Sequence, residues 1–118
     1  MQTFRDMEVY RSSYELALQV YRLTKEFPRH EQYELARQLR RAATGIPLNV
    51  AEGFGRKSSQ VDFANFVRIA VGSANEVMVL MDLCRDLGYV SNGDHERMTG
   101  RYLSLVKQLW NLMRTLKR

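Results

Sequence analysis

The stretch at residues 97–118, RMTGRYLSLVKQLWNLMRTLKR, decides the fold class. Met98, Tyr102, Leu105, Leu109, Leu112 and Leu116 recur every three or four positions, the spacing of one stripe on an α-helix. Arg97, Arg101, Ser104, Gln108, Asn111, Thr115 and Arg118 take the polar side. Leu103, Lys107, Trp110 and Arg114 form a separate flank where apolar and basic groups alternate. A stripe of this kind needs other apolar helix faces to bury it. Just upstream, Ser91-Asn92-Gly93-Asp94 has the composition of a helix start.

Working outward, three more helical patterns appear. Phe66, Ala70, Ser73, Val77, Leu80, Cys84 and Leu87 keep the same spacing. Phe63, Val67, Ala74, Met78 and Met81 widen that face. Ser59 with Asp62 reads as its N-cap, and Gly88 as the left-handed residue that ends it. Before it, Leu35, Leu39, Ala42, Ala43, Ile46 and Val50 form a row that continues past Pro47. The spacing predicts a second helix from Pro28 to about Gly53, kinked near Pro47; a break into two helices at Gly45-Ile46-Pro47 competes with it. The first helix is expected over Asp6–Phe27, with Val9, Ser13, Leu16, Val20, Leu23 and Phe27 as its stripe. Tyr10, Tyr14, Ala17, Leu18 and Tyr21 lie in a second apolar row beside it.

Short connections between long helices favour antiparallel neighbours, so the expected fold is all-α: one up-down-up-down four-helix bundle over residues 1–118. The length suits one domain. Seven Gly and two Pro argue against a loop-rich β protein, and a single Cys excludes an internal disulfide or a multi-cysteine metal site. The absence of a long apolar run or a signal-peptide pattern predicts a cytoplasmic protein. Tyr10, Tyr14 and Tyr21 on one helix, and Leu103 and Trp110 on another, exceed what one core can bury. They are the candidate contacts of a homo-oligomer.

Charge is uneven along the chain. The net is zero over residues 1–28, +3 over 29–57, −4 over 58–96 and +6 over 97–118, for a total of +5. Arg37, Arg40, Arg41, Arg56, Lys57, Arg97, Arg101, Lys107, Arg114, Lys117 and Arg118 are the candidate contacts for a nucleic-acid backbone. An ordinary solvated helix face with local salt bridges is the competing reading.

Little in the sequence points to catalysis. His30 and His95 lack partners at metal-ligand spacing. Cys84 falls on a core stripe and reads as a small buried hydrophobe. Gly53 and Gly55 lack the third glycine and the preceding strand of a dinucleotide loop. Asn49, Glu52, Ser73 and Glu76 lie close to core stripes, and a buried hydrogen-bond network, joined by Arg41, is expected there rather than a metal. No catalytic residue, metal or cofactor is expected.

One run is more specific. It begins Phe27-Pro28-x-x-Glu31-x-Tyr33-x-Leu35-x-x-Gln38-Leu39-Arg40-Arg41-Ala42-Ala43 and continues Gly45-Ile46-Pro47-x-Asn49-Val50-Ala51-Glu52-Gly53-x-Gly55-Arg56. Phe63, Phe66, Ile69-Ala70, Gly72-Ser73, Glu76 and Leu87-Gly88-Tyr89 follow. Together these resemble the bacterial four-helix-bundle proteins known as 23S rRNA intervening-sequence proteins. The resemblance implies a homopentamer with a central opening, relatives among the accessory proteins of diversity-generating retroelements, and no established catalytic residues. Thr44 departs from the commoner Ser at its position.

Two functions are compatible with these readings. One is a non-catalytic oligomer that binds structured RNA or other nucleic acid through its basic surfaces. The other is an oligomeric scaffold for a protein partner with no nucleic-acid role.

Overall fold

The computed structural model describes residues 2–116. Among them are four α-helices and no strand: α1 (Glu8–Thr24), α2 (Leu35–Gly55), α3 (Gln60–Asp86) and α4 (Asn92–Thr115). Short 3-10 turns at Phe4–Asp6 and Arg29–Glu31 precede α1 and α2. α1 packs on α2 and α4, and α3 packs on the same two helices. The result is a helical bundle, 45 × 22 × 20 Å. At 1.5 Å per residue α3 alone is about 40 Å long, so it runs nearly the full length.

The apolar stripes meet in the middle. Leu16 and Val20 of α1, Leu39, Ile46 and Val50 of α2, Val67, Val77 and Met81 of α3, and Met98, Leu105 and Leu109 of α4 are all fully enclosed. Each such side chain contributes roughly 1.5–3 kcal/mol on burial. Closest packing is between α2 and α3, where Gly53 is required. A Cβ there would come 3.0 Å from both Phe63 and Phe66.

Local signals set the helix ends. Ser59 Oγ accepts from the Asp62 N–H (3.2 Å), and Ser91 Oγ accepts from the Asp94 N–H (3.0 Å). Each cap contributes about 1 kcal/mol. Gly88 sits at φ +85°, and the Tyr89 N–H reaches back to the Cys84 carbonyl (2.8 Å). The Gly88 N–H bonds the Arg85 carbonyl (3.0 Å), completing a Schellman turn.

The α1–α2 connection differs from expectation. α1 stops at Thr24 rather than Phe27, and α2 starts at Leu35 rather than Pro28. Tertiary hydrogen bonds explain the difference. Gln32 Nε2 donates to the carbonyls of Thr24 (2.9 Å) and Phe27 (3.1 Å), and Arg40 Nε donates to Thr24 Oγ1 (2.8 Å). Tyr89, which follows α3, locks the same segment by donating its hydroxyl to Glu31 (2.8 Å). That carboxylate holds the Tyr89 pKa above its ordinary value. α2 runs unbroken through Pro47, so the alternative of two helices is not adopted.

The buried polar network expected around Asn49 does not form. Glu52, Glu76 and Arg41 face solvent, and the Asn49 amide donates within its own helix to the Gly45 carbonyl (2.7 Å). The physical reason is the cost of burying carboxylates, which is avoided by leaving Glu52 and Glu76 in water. Leu87 also leaves the core and is 54% exposed, with Val90 buried instead.

The Tyr102 hydroxyl is enclosed with no hydrogen-bond partner among the described residues. Burial raises its pKa. Tyr102→Phe should therefore stabilise the fold by about 1 kcal/mol, read as a melting temperature raised by a few degrees in calorimetry.

Candidate nucleic-acid interface

The first half of α2 concentrates the basic groups. Arg37 and Arg41 are one turn apart and exposed. Neither side chain has a hydrogen bond or ion pair among the described residues. Arg40 is half-buried and pinned by Thr24 Oγ1, by Gln32 Oε1 (3.0 Å), and by the Tyr21 ring 5.3 Å from its guanidinium carbon. Three guanidinium groups therefore border one shallow depression, together with Tyr21, Gln32, Tyr33 and Thr44. Fixed, planar donors beside free ones suit a phosphate backbone.

The other predicted basic residues are not part of this cluster. Arg56 lies about 28 Å along α2 from Arg37. It is paired with Glu52 (3.1 Å) and stacked over Phe66. The Lys57 ammonium sits 4.0 Å from the centre of the Phe54 ring. On α4, Arg97 is paired with Asp94 (3.0 Å) and bonds Gln19 of α1 (3.2 Å). Arg101 borders a small cleft with Ser12 and Gln108 between α1 and α4. Lys107 and Arg114 are exposed on another flank of α4, Arg114 bonding Asn111. Lys117 and Arg118 lie outside the described residues. The basic groups described on the final segment are thus divided between two flanks rather than gathered in one patch.

The candidate interface residues separate into two surfaces. Tyr10, Tyr14, Leu18 and Tyr21 of α1 face Leu48 of α2 across an apolar groove of 410 Å³ that Phe4 also lines. Tyr14 and Leu48 are 50% and 67% exposed, so the groove opens to water. Leu103 and Trp110, both about half-exposed, project from α4 beside Lys107 and Arg114. Leu48 was missed because it lies off its helix stripe; only its apolar character at an exposed position signals it.

The two histidines lie in different settings. His30 is exposed. His95 bonds Asp82 (2.7 Å) and contacts Arg85 (3.3 Å), which ties the start of α4 to the end of α3. Among the described residues no group of three or more His, Cys, Asp and Glu could hold a metal ion. Burial pushes the Cys84 thiol up to about 11. Cys84 should accordingly resist alkylation at neutral pH in the native protein and react once urea unfolds it, counted by mass spectrometry. No helix among the described residues is long and apolar enough to cross a membrane.

Fold and surface together define a four-helix bundle with a basic cluster on one helix and unpartnered apolar faces on others. The chain belongs to the 23S rRNA-intervening sequence protein family, whose model matches residues 5–111. It is also similar to a crystal structure from Bacteroides thetaiotaomicron, described as a protein of unknown function from the S23 ribosomal protein family. The two are 27% identical, with a TM-score of 0.79 over 89% of this chain and 97% of the other. No curated protein matches the chain.

Proposed function

We propose that this protein is a non-catalytic, cytoplasmic homo-oligomer that binds structured RNA or other nucleic acid through α2. The observation that carries the reading is the pair of exposed, unpartnered guanidinium groups of Arg37 and Arg41 beside the anchored Arg40. Membership of a family named for 23S rRNA intervening sequences supports RNA as the ligand. The α1–α2 groove and the Leu103/Trp110 ridge are different surfaces. Joining one to the other gives a heterologous contact, which forms a ring when the rotation between subunits closes. Five-fold closure is what the family resemblance implies. Around such a ring each arginine cluster recurs, and weak single contacts add up to avid binding of a long polyanion.

The scaffold reading has its own support in the acidic 58–96 segment, net −4, and in the apolar groove. Charge reversal separates the two. Arg37→Glu with Arg41→Glu should abolish the gel shift of structured RNA while light scattering returns an unchanged oligomer. Loss of the oligomer instead would assign these arginines to assembly. Leu18→Glu should break the oligomer, driving the mass toward the 13.8 kDa of one chain and weakening RNA binding through lost avidity. Wild-type oligomer that shifts neither structured RNA nor DNA at low salt would overturn the nucleic-acid reading.

A further inference from the structure

Next to the arginine depression lies a second and larger one, 520 Å³, between the turn before α2 and the middle of α3. The two share Tyr33, Arg37 and Arg41 as their common edge. Their chemistry differs. Among the described residues no carboxylate borders the arginine lobe. The larger lobe adds Glu34, Glu76, Gln38 and Ser73. The Glu34 and Glu76 side chains are exposed and have no hydrogen bond or ion pair among the described residues. Two free carboxylates repel a phosphate, so the larger lobe suits a neutral group that donates hydrogen bonds.

Tyr33 stands between the lobes and is 77% exposed, the most open of the large apolar side chains. Its turn is nevertheless well held. Gln32, its neighbour, bonds the Thr24 and Phe27 carbonyls and accepts from Arg40. An aromatic ring on a rigid turn, flanked by guanidinium groups, is a stacking platform for a nucleobase. Bases within a duplex are stacked and offer no free face to it.

We propose that this double cleft binds an unpaired RNA nucleotide whose base carries an exocyclic amine, a proposal that rests on the nucleic-acid reading above. The base stacks on Tyr33 and donates its amine to Glu34 or Glu76. The adjoining phosphates lie on Arg37, Arg40 and Arg41. The same carboxylates weaken plain duplex binding, and so favour loops and bulges over paired stems.

The test uses the full chain and three RNA probes: a fully paired duplex, and a hairpin with the same stem closed by an open loop of cytidines or of uridines. Only cytosine presents an amine in place of the uracil oxygen. The cytidine loop should bind more tightly than the uridine loop, and both more tightly than the duplex. Tyr33→Ala should weaken cytidine-loop binding about tenfold and duplex binding much less, while Tyr33→Phe retains it. Because Tyr33 is exposed, the variant should keep the wild-type melting curve. Equal wild-type affinity for the two loops, or for loop and duplex, would overturn the assignment while leaving nucleic-acid binding in place. An equal loss on all three probes in Tyr33→Ala would do the same. Failure of the wild type to bind any probe would remove the parent reading as well.

Discussion

Replacing Arg37 and Arg41 together by alanine is expected to weaken binding to structured RNA at least about tenfold at moderate salt, and to lower the log–log salt slope by about two. Both side chains are exposed and have no ion pair among the described residues, so their charge is open to a ligand. Each phosphate deprived of its guanidinium keeps its condensed counterion, so about one fewer is released on binding. The matched variant Arg97→Ala with Arg101→Ala should have a smaller effect. Arg97 already pairs with Asp94 at 3.0 Å and bonds Gln19, so fewer of its donors are open to a phosphate. Fluorescence anisotropy across a salt series reads both quantities. Equal losses from the two pairs would move the interface from α2 to the whole basic surface.

Ile46→Ala should be strongly damaging to the fold. Ile46 is fully enclosed, and it precedes Pro47 in the middle of α2. Pro47 supplies no N–H to the helix, so this turn depends more than others on side-chain packing. A truncation at such a site costs roughly 2–5 kcal/mol. For a domain of this size that is a fall of roughly 10 °C or more in melting temperature. Leu48→Ala, two residues on, is the control. Its side chain is 67% exposed and should leave the monomer's melting almost unchanged while weakening self-association.

The pattern of what could be read from the chain follows from what each feature depends on. Helices, caps and core depend on local spacing, and Ser59, Gly88 and Ser91 act where their types predict. The start of α2 depends on Gln32 and Arg40 reaching Thr24 across the α1–α2 turn, and no local pattern announces that. Glu52 and Glu76 sit near core stripes in one dimension, yet both face water in three. The site was partly legible. Arg37, Arg40 and Arg41 stood out as a cluster, but a helical spacing argument could not show that Arg40 is anchored and its two neighbours free. Tyr33 was legible only as part of a family motif, because its importance comes from the turn that exposes it. The basic residues of α4 looked like one patch by count, and ion pairing with Asp94 and the rotation between Arg97 and Lys107 divide them.

The proposed function is electrostatic binding of structured RNA through the arginines of α2, without catalysis. A salt titration of wild-type protein on a structured RNA tests it most directly. The predicted result is tight binding at low salt, with log affinity falling linearly against log salt at a slope of several, and RNA recovered uncleaved. Absence of binding at low salt, or an affinity indifferent to salt, would contradict it.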